Sequence, residues 1–310
     1  ALIHPLRLAT LGIFHDVTKV RSHRSTRMIA RMLSARIMLA QHLSFAAERE
    51  IGRRFDHVHL LASGIRGQPD PRTVTIAIPG AFGFGKKDAE SLFALVCDAR
   101  LDPRVRFVLL GRFSGEADAT AWWQRCIAHG VDHRMTRFTD FVAQDEFNRQ
   151  LQQSSAVLPL IHPGCDHYTR FRSEKISGAV NLALGAHLPL VIHADLARQW
   201  CFGPVVSTYG SQDELVRVIN ALAVHPTLQA QRERIAASKE AHPAFQQALY
   251  LQACARAVRT SRGETRPVVV GKRPAWKPRM PVDTPVIASS PPLAPPLLAG
   301  VNRPVLLKGR

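Results

Sequence analysis

The clearest candidate for chemistry is a glycine-rich segment, Pro79-Gly80-Ala81-Phe82-Gly83-Phe84-Gly85-Lys86-Lys87-Asp88, between an apolar run and a helical pattern. Gly83 and Gly85 allow backbone N–H groups to approach a phosphate, and the start of a helix adds a positive field. Lys86 or Lys87 supplies a full charge. The P-loop motif G-x-x-x-x-G-K-[ST] is disfavoured, because Lys87 and then Asp88 follow Lys86 where the motif has a hydroxyl residue. The segment predicts a phosphate-binding loop, with a mobile glycine-rich turn as the alternative.

A second polar group follows the apolar run Pro159-Leu160-Ile161. It contains His162, Asp166, His167 and Tyr168, and then Arg172-Ser173-Glu174-Lys175-Ile176-Ser177-Gly178-Ala179, where a helix is predicted to begin. Lys175 and Ser177 near free helix N–H groups predict a diphosphate site, although Ser173 also fits a plain N-cap. The spacing of His162, Asp166 and His167 is not that of a zinc site, so no metal is predicted.

A third segment, Thr139-Asp140-Phe141-Val142-Ala143, lies between a predicted strand and a predicted helix. Its backbone is placed to contact the edge of a base. Asp145 fits the first turn of the helix, where a carboxylate complements the helix dipole.

The elements that must position these segments alternate regularly over residues 73–223. The apolar runs predict strands at 73–79, 106–111, 131–138, 156–161, 189–194 and 205–208, and helical spacing predicts helices at 86–100, 116–129, 144–154, 173–186 and 211–223. Near-continuous apolar strands between helices predict an α/β domain whose parallel sheet is covered on both faces, as in Rossmann-like folds. The loops after the strands then lie along one edge, where ligands bind.

The first 70 residues have a shorter version of this pattern. Predicted strands are 8–14, 43–46 and 58–62, and predicted helices are 26–39 and 48–55. Three strands are few for a doubly wound half, and the chain starts without Met near a strand-like run, so we expect further residues upstream. Residues 226–260 predict one or two long helices.

Composition sets wider limits. The 310 residues include 41 Lys and Arg against 24 Asp and Glu, a net charge of +17, which favours polyanionic partners. Five scattered cysteines without a C-x-x-C pair, and no readable signal peptide or membrane span, predict a reducing, cytoplasmic location. Residues 261–310 hold 10 of the 21 prolines and predict a disordered basic tail.

The order of several segments resembles the C-terminal, nucleotide-sugar-binding domain of a GT-B glycosyltransferase of the group 1/family 4 type. They are the Lys86 loop, the strand ending Leu110-Gly111-Arg112, the segment 138–141, and the strand at Pro159 followed by 174–179 and Pro189-Leu190-Val191. The family's Glu-x7-Glu pair keeps its first carboxylate at Glu174, whereas Leu182 occupies the second position. Tyr168, Lys175 and Ser177 resemble a subgroup's Tyr-x-x-x-Lys-x-Ser-Gly pattern, with a longer gap.

The resemblance implies a GT-B-like α/β fold with four parts. These are a partial N-terminal Rossmann-like domain (1–70), a nucleotide-sugar-binding Rossmann-like domain (71–225), closing helices (226–260) and the tail (261–310). It implies transfer of a hexosyl group from a nucleotide diphosphate sugar to an acceptor hydroxyl, with retention and without metal or other cofactor, in polysaccharide biosynthesis. The implied partners are the nucleotide sugar, a glycan or lipid-linked acceptor, and the anionic inner face of a membrane.

The resemblance also assigns residues. His15, at the end of a predicted strand, matches a family histidine that faces the cleft, and Glu174 would contact hydroxyls of the donor sugar. The residues implied in nucleotide-sugar and diphosphate binding are Gly83, Gly85, Lys86, Lys87, Arg112, Phe141, Tyr168, Lys175, Ser177 and Gly178.

Two other classes of function stay open. A nucleotide-sugar epimerase shares the fold, but it needs several acidic or histidine side chains in its cleft. A non-enzymatic protein that binds nucleic acid or a membrane surface fits the charge. With 7% aromatic residues, however, a base-stacking surface for nucleic acid is not expected.

Overall fold

The computed structural model describes residues 8–61, 64–70, 72–85, 87–200 and 206–264. The predicted tail and Lys86 lie outside the described residues. Over the residues it describes, the chain forms two parallel β-sheets flanked by helices.

The first sheet has three parallel strands in the order β1-β2-β3. They are β1 (Leu11–Phe14), β2 (Ala35–Met38) and β3 (Asp56–His57), and the helices between them are α1 (Val17–Ser22), α2 (Arg24–Met32) and α3 (Gln41–Ile51). Met38 packs with residues of α1 to α3 on one face of the sheet. On the other face, Ile37 packs against Ala253 of the last described helix, α12 (Pro243–Ser261).

The second sheet has six parallel strands in the order β6-β5-β4-β7-β8-β9. They are β4 (Val74–Pro79), β5 (Val105–Arg112), β6 (Met135–Phe138), β7 (Ala156–Val157), β8 (Leu190–His193) and β9 (Val206–Tyr209). The helices are α4 (Ala89–Cys97), α5 (Ala117–Ala128), α6 (Gln144–Gln153), α7 (Tyr168–Ser173), α8 (Gly178–Ala186), α9 (Ala194–Trp200), α10 (Gln212–Leu222), α11 (His225–Ala237) and α12 (Pro243–Ser261).

Both faces of the second sheet are covered, as the apolar strands predict. Ile76 and Ile78 of β4 belong to a buried cluster with side chains of α4, α5 and α10. Ala77, which points the other way, packs with side chains of α6, α8 and α9. The predicted parallel α/β architecture is therefore confirmed. The domain boundaries proposed from the sequence stay a prediction.

The predicted helix over 26–39 is confirmed up to Met32, where α2 ends, and is wrong beyond it, because residues 35–38 form the buried strand β2. Arg36 is the charged residue that interrupts the apolar residues of this segment. Its guanidinium is buried and donates to the backbone carbonyls of Ala30, Arg31 and Leu33, the last at 2.5 Å. These carbonyls at the end of α2 have no partner within the helix, so a buried arginine in the next strand caps them. Burial lowers the pKa of Arg36 to about 10.

The predicted strand at 43–46 is also wrong, because α3 runs from Gln41 to Ile51 and ends at Gly52. Leu43, Ala47 and Ile51 are buried at helical spacing, and a short apolar run cannot be told from a strand by its pattern alone. Gly52 has a φ of 69°, a left-handed conformation that glycine adopts readily at the end of a helix. Among the described residues, no helix is long and apolar enough to cross a bilayer.

Candidate functional site

The strand order of the second sheet creates a crevice between β4 and β7. From β4 the chain continues outward to β5 and β6 on one side, and then returns to β7, β8 and β9 on the other. The loops that follow β4 and β7 therefore leave in opposite directions at the same edge, which is where ligands bind in open parallel sheets. These loops are the two segments with the predicted phosphate-binding residues.

Lys87 links the two sides of this crevice from inside. Its Nζ donates to the carbonyl of Pro79 at 2.9 Å, at the end of β4, and to that of Pro159 at 2.6 Å, just beyond β7. The side chain is buried, and burial lowers the pKa of Lys87 to about 8. Lys87 therefore ties the two loops together.

The two candidate glycines of this loop differ in whether a side chain could replace them. Gly85 has a φ of 82°, and a Cβ there would come within 2.2 Å of Asp166 Oδ2, so the two loops meet closely at this position. Gly83 has an ordinary backbone angle and is half-buried. The helix predicted from residue 86 begins only at Ala89, since Asp88 is its N-cap.

A buried chain of hydrogen bonds lies beside Lys87. Asp88 accepts from Ser91 N at 2.9 Å and from His162 Nδ1 at 2.8 Å. His162 Nε2 bonds the hydroxyl of Tyr209 at the end of β9. Asp88 accepts only, so His162 donates from Nδ1; in the neutral imidazole, Nε2 then accepts from the Tyr209 hydroxyl. The chain joins the loops that follow β4 and β7 to the last strand of the sheet.

The ionisation of this chain follows from its contacts. Burial opposes ionisation of Asp88, but the hydrogen bonds from His162 and Ser91 outweigh it and hold the pKa of this carboxyl well below its usual range. Burial also raises the pKa of the Tyr209 hydroxyl, which keeps its proton. The sequence places His162 after a strand and Asp88 before a helix, but nothing in it indicates Tyr209 as their partner.

We expect His162→Leu to lower the free energy of unfolding by about 2–4 kcal/mol, because Asp88 and Tyr209 both lose a buried partner. Tyr209→Phe should cost about 1 kcal/mol. In a urea-unfolding double-mutant cycle, adding Tyr209→Phe to His162→Leu should cost little more than His162→Leu alone. His225→Leu, at an exposed histidine, is the control. Fully additive effects would contradict the hydrogen-bonded chain.

The segment before α8 contacts the end of β1. Glu174 and Lys175 belong to neither α7 nor α8, so the predicted helix over 173–186 is wrong at its start. Lys175 forms an antiparallel β-bridge with Asp16, and Val17 N donates to the Glu174 carbonyl at 2.9 Å. The structure thus brings Glu174 and Lys175 next to the residue that follows His15, an exposed side chain after β1.

The carboxylate of Glu174 is already engaged. It accepts from Thr18 Oγ1 at 2.6 Å and from Arg21 Nη1 at 3.2 Å, and Arg170 lies 3.8 Å away. A carboxylate offers about four acceptor positions, so two remain after these two hydrogen bonds. Glu174 therefore joins the first sheet's α1 to the second sheet and keeps capacity for another donor.

The start of α8 is open to ligands. Ser177 is its N-cap, with Oγ accepting from Ala179 N at 3.4 Å. Gly178 is exposed, and no heavy atom lies within 4 Å of the position that a Cβ would take there. Lys175 Nζ lies 4.2 Å from the centre of the Phe171 ring. Lys175 precedes this helix start by three residues in the chain, and the diphosphate site predicted here stays a prediction.

The remaining candidate residues lie at the same edge of the sheet. Phe141, in the loop after β6, is 90% exposed, and Arg112 is exposed at the end of β5. Three strand spacings, roughly 14 Å, separate β6 from β7, so the loops that follow these two strands begin well apart. Tyr168 begins α7 and donates from its hydroxyl to Asp195 at 3.3 Å. Burial and Asp195 raise the pKa of Tyr168 to about 12. The described residues contain no cluster of three or more His, Cys, Asp or Glu side chains suited to a metal ion.

No protein-family model and no curated protein sequence matches the chain. Solved structures do. The Anabaena protein HepE in complex with UDP has 16% sequence identity and a TM-score of 0.51, over 82% of this chain and 70% of that one. A glycosyltransferase from Rickettsia africae has 10% identity and a TM-score of 0.52, over 80% and 70% of the two chains.

Sucrose-phosphate synthase from Thermosynechococcus elongatus has 11% identity and a TM-score of 0.52, over 82% of this chain and 67% of that one. These identities are low, so the likeness concerns the fold. The two parallel sheets of this chain, together with these structural neighbours, show that it has the GT-B glycosyltransferase fold.

Proposed function

We propose that the protein transfers a sugar from a nucleotide diphosphate sugar to an acceptor hydroxyl. The observation that carries this proposal is the meeting of three features in one place of a GT-B fold. Lys175 precedes the exposed N-terminus of α8 at Gly178 by three residues, and its backbone pairs with Asp16, the residue that follows His15 at the end of β1.

The diphosphate is the part of the donor that this place suits best. When the bond to the sugar breaks, negative charge grows on the leaving diphosphate, and groups already aimed at that charge lower the barrier. The N–H groups of α8 and the ammonium of Lys175 supply such groups, and Lys86, outside the described residues, is a further candidate from the sequence. Cationic side chains and a helix N-terminus can do this without a metal ion, so we propose metal-independent transfer.

The donor sugar is proposed to lie against Glu174 and His15. Glu174 has two acceptor positions left for sugar hydroxyls beyond its bonds to Thr18 and Arg21. His15 is exposed and directly follows β1, a strand of the first sheet. We assign retention of configuration, hexosyl transfer and a role in polysaccharide biosynthesis from the resemblance, with a glycan or lipid-linked acceptor and a cytoplasmic location.

The nucleoside is proposed to extend along the sheet edge toward β5 and β6. Phe141 offers an exposed ring on which a base can stack, and Arg112, which pairs with Phe138 between β5 and β6, offers a cation at the same edge. Because β6 lies about three strands from β7, the base and the diphosphate would contact different loops.

Lys175→Ala should weaken binding of a nucleoside diphosphate about tenfold or more, since a charge-assisted contact contributes about 1.5–3 kcal/mol. Isothermal titration with UDP and with other nucleoside diphosphates measures this. Lys239→Ala is the matched control, because Lys239 also stands over a phenylalanine ring, that of Phe245 at 5.4 Å, but in another part of the chain.

A second variant separates the nucleoside from the diphosphate. Phe141→Ser should weaken UDP binding while leaving binding of inorganic pyrophosphate unchanged, whereas Lys175→Ala should weaken both. Undiminished diphosphate affinity in Lys175→Ala would show that the diphosphate binds elsewhere. Conversion of the nucleotide sugar without any acceptor would favour an epimerase instead.

A further inference from the structure

Two carboxylates meet at the first turn of α1. Asp16 is buried and, as the N-cap of this helix, accepts from Thr18 N at 2.8 Å. Glu174, which follows α7, accepts from Thr18 Oγ1 at 2.6 Å. Both carboxylates therefore bond the same residue. Two like charges held this close disfavour each other's ionisation unless a cation neutralises them.

Arg170 of α7 supplies a cation between them. Its Nη2 donates to Asp16 Oδ2 at 3.1 Å, and its Nε lies 3.8 Å from Glu174 Oε2. One guanidinium thus faces both carboxylates. Glu174 has a second cation in Arg21, at 3.2 Å, whereas among the described residues Asp16 forms an ion pair with Arg170 alone.

The ionisation of Asp16 follows from these contacts. Burial opposes ionisation, but the hydrogen bonds from Thr18 and the charge of Arg170 outweigh it and lower the pKa of this carboxyl. Asp16 is thus a buried anion. A buried charge that loses its partner is strongly unfavourable, so Arg170 matters most to Asp16.

The backbone of Arg170 serves the same segment as its side chain. Its carbonyl oxygen accepts from Glu174 N at 2.8 Å and from Lys175 N at 2.9 Å. Arg170 therefore contacts the segment before α8 through its backbone and the residue after His15 through its guanidinium. A change of side chain removes only the second contact.

The pair of Arg170 with Asp16 differs from the chain's local ion pairs. It spans 154 positions, and its carboxylate is only 8% exposed. Several exposed arginines instead pair with a carboxylate two or three positions away, which contributes little to stability, as in Arg72–Asp70, Arg104–Asp102 and Arg149–Glu146. The pair at Arg170 therefore joins two distant parts of the chain at the proposed site.

We propose that Arg170 is a positioning residue for the donor sugar. By neutralising Asp16 and Glu174 together, its guanidinium keeps the residue next to His15 close to Glu174, and these are the two side chains assigned to the sugar. The diphosphate is assigned instead to Lys175 and the start of α8, and the bond from Lys175 N to the Arg170 carbonyl survives a change of side chain. This role rests on the proposed function, whereas the bridging of the two carboxylates does not.

Isothermal titration with UDP and with a nucleotide sugar tests the two parts of the site separately. Of UDP-glucose, UDP-galactose and UDP-N-acetylglucosamine, the one that the wild type binds most tightly is used with the variants. Arg170→Met should weaken its binding at least tenfold and change UDP binding less than twofold. Arg170→Lys should lie between, since an ammonium lacks the planar fork that faces two carboxylates.

Arg100→Met is the matched control. Arg100 also bridges two carboxylates, Asp98 at 2.7 Å and Asp213 at 2.6 Å, but it does so between the end of α4 and α10. This variant should bind UDP and the nucleotide sugar like the wild type.

A second change distinguishes charge neutralisation from a general loss of structure. Adding Asp16→Asn to Arg170→Met removes the unneutralised charge, while the amide oxygen can still accept from Thr18 N. The double variant should therefore regain most of the nucleotide-sugar affinity and unfold at a higher urea concentration than Arg170→Met alone. A role of the arginine in packing alone would give no such recovery.

Equal weakening of UDP and nucleotide-sugar binding by Arg170→Met, or equal effects of Arg170→Met and Arg100→Met, would overturn the positioning role. So would a double variant that recovers neither affinity nor stability. If the wild type binds neither UDP nor any of the three nucleotide sugars, the proposed function fails and the positioning role fails with it. The urea measurement then still decides whether Arg170 neutralises the carboxylate pair.

Discussion

Lys87→Met is expected to lower the free energy of unfolding. The difference from wild type should grow by about 3 kcal/mol as the pH rises from about 8 to 10.5. Lys87 is buried between the carbonyls of Pro79 and Pro159, and burial lowers its pKa from 10.5 to about 8. Between these values the folded protein holds Lys87 neutral, whereas the unfolded chain binds a proton there. The unfolded state thus binds more protons, so this group stabilises the fold increasingly as the pH rises.

The quantity to measure is the difference in free energy of unfolding between wild type and Lys87→Met, from urea unfolding at several pH values. The difference is needed because burial raises the pKa of Cys126 to about 12 and raises that of Tyr209, and both groups lower stability at high pH. These contributions are shared by the two proteins and cancel. Lys239→Met is the control for loss of one lysine. A difference that stays constant from pH 8 to 10.5 would contradict the buried position of Lys87.

The same pKa has a consequence for the crevice. At neutral pH Lys87 stays mostly protonated, so it places positive charge behind the loops that follow β4 and β7. Because its Nζ is held by two carbonyls, this charge would act on a phosphate bound at the proposed site through the electrostatic field. The sequence does not distinguish Lys86 from Lys87 as a phosphate ligand, whereas the buried contacts of Lys87 give it an internal role.

The second sheet was predictable because its signals are local. Its strands are apolar runs between helical patterns, and Val74–Pro79 and Leu190–His193 fall within one or two residues of their predicted bounds. The edge that carries the candidate loops follows from parallel topology alone. The first sheet was harder to predict. A charged residue such as Arg36 is not expected in a buried strand unless its contact with the end of α2 is known.

The details of the candidate site depend on contacts between distant parts of the chain. Thr18 and Glu174 are 156 residues apart, and their contact accompanies the extended segment that replaces the predicted start of the helix before Gly178. Likewise, His162 is hydrogen-bonded to Tyr209, which lies 47 residues later in the chain. Residue types identify candidates for chemistry, but local patterns contain no information on which distant side chain will engage them.

His42→Phe is expected to stabilise the protein, and to do so more strongly in acid. His42 lies on α3 and stacks on Trp200, with ring centres 6.2 Å apart. It is buried, and within the part of the chain that the structure describes neither of its ring nitrogens has a hydrogen-bond partner. Burying such groups without partners costs about 1–3 kcal/mol, which a phenylalanine that keeps the contact with Trp200 would not incur.

The pH dependence of this variant follows from the same burial. Burial, aided by the nearby His59, lowers the pKa of His42 from 6.5 to about 3, and burial lowers that of His59 to about 4. As the pH falls below 6.5, the unfolded chain takes up protons that the folded protein excludes, so stability falls by about 2–3 kcal/mol for each histidine down to pH 4.5.

His42→Phe should remove one of these two losses, and urea unfolding at pH 7.5 and 4.5 measures both parts of its effect. His59→Phe is the informative comparison, because His59 Nδ1 lies 3.3 Å from Asn181 Oδ1 and its ring therefore has a partner to lose. It should share the reduced sensitivity to acid but show no gain at pH 7.5. If His42→Phe is less stable than wild type at pH 7.5, and His42→Leu is as well, the ring nitrogens of His42 are satisfied after all. An unchanged acid sensitivity in both phenylalanine variants would mean that carboxylates such as Asp88, whose pKa is held low by His162 and Ser91, control unfolding in acid.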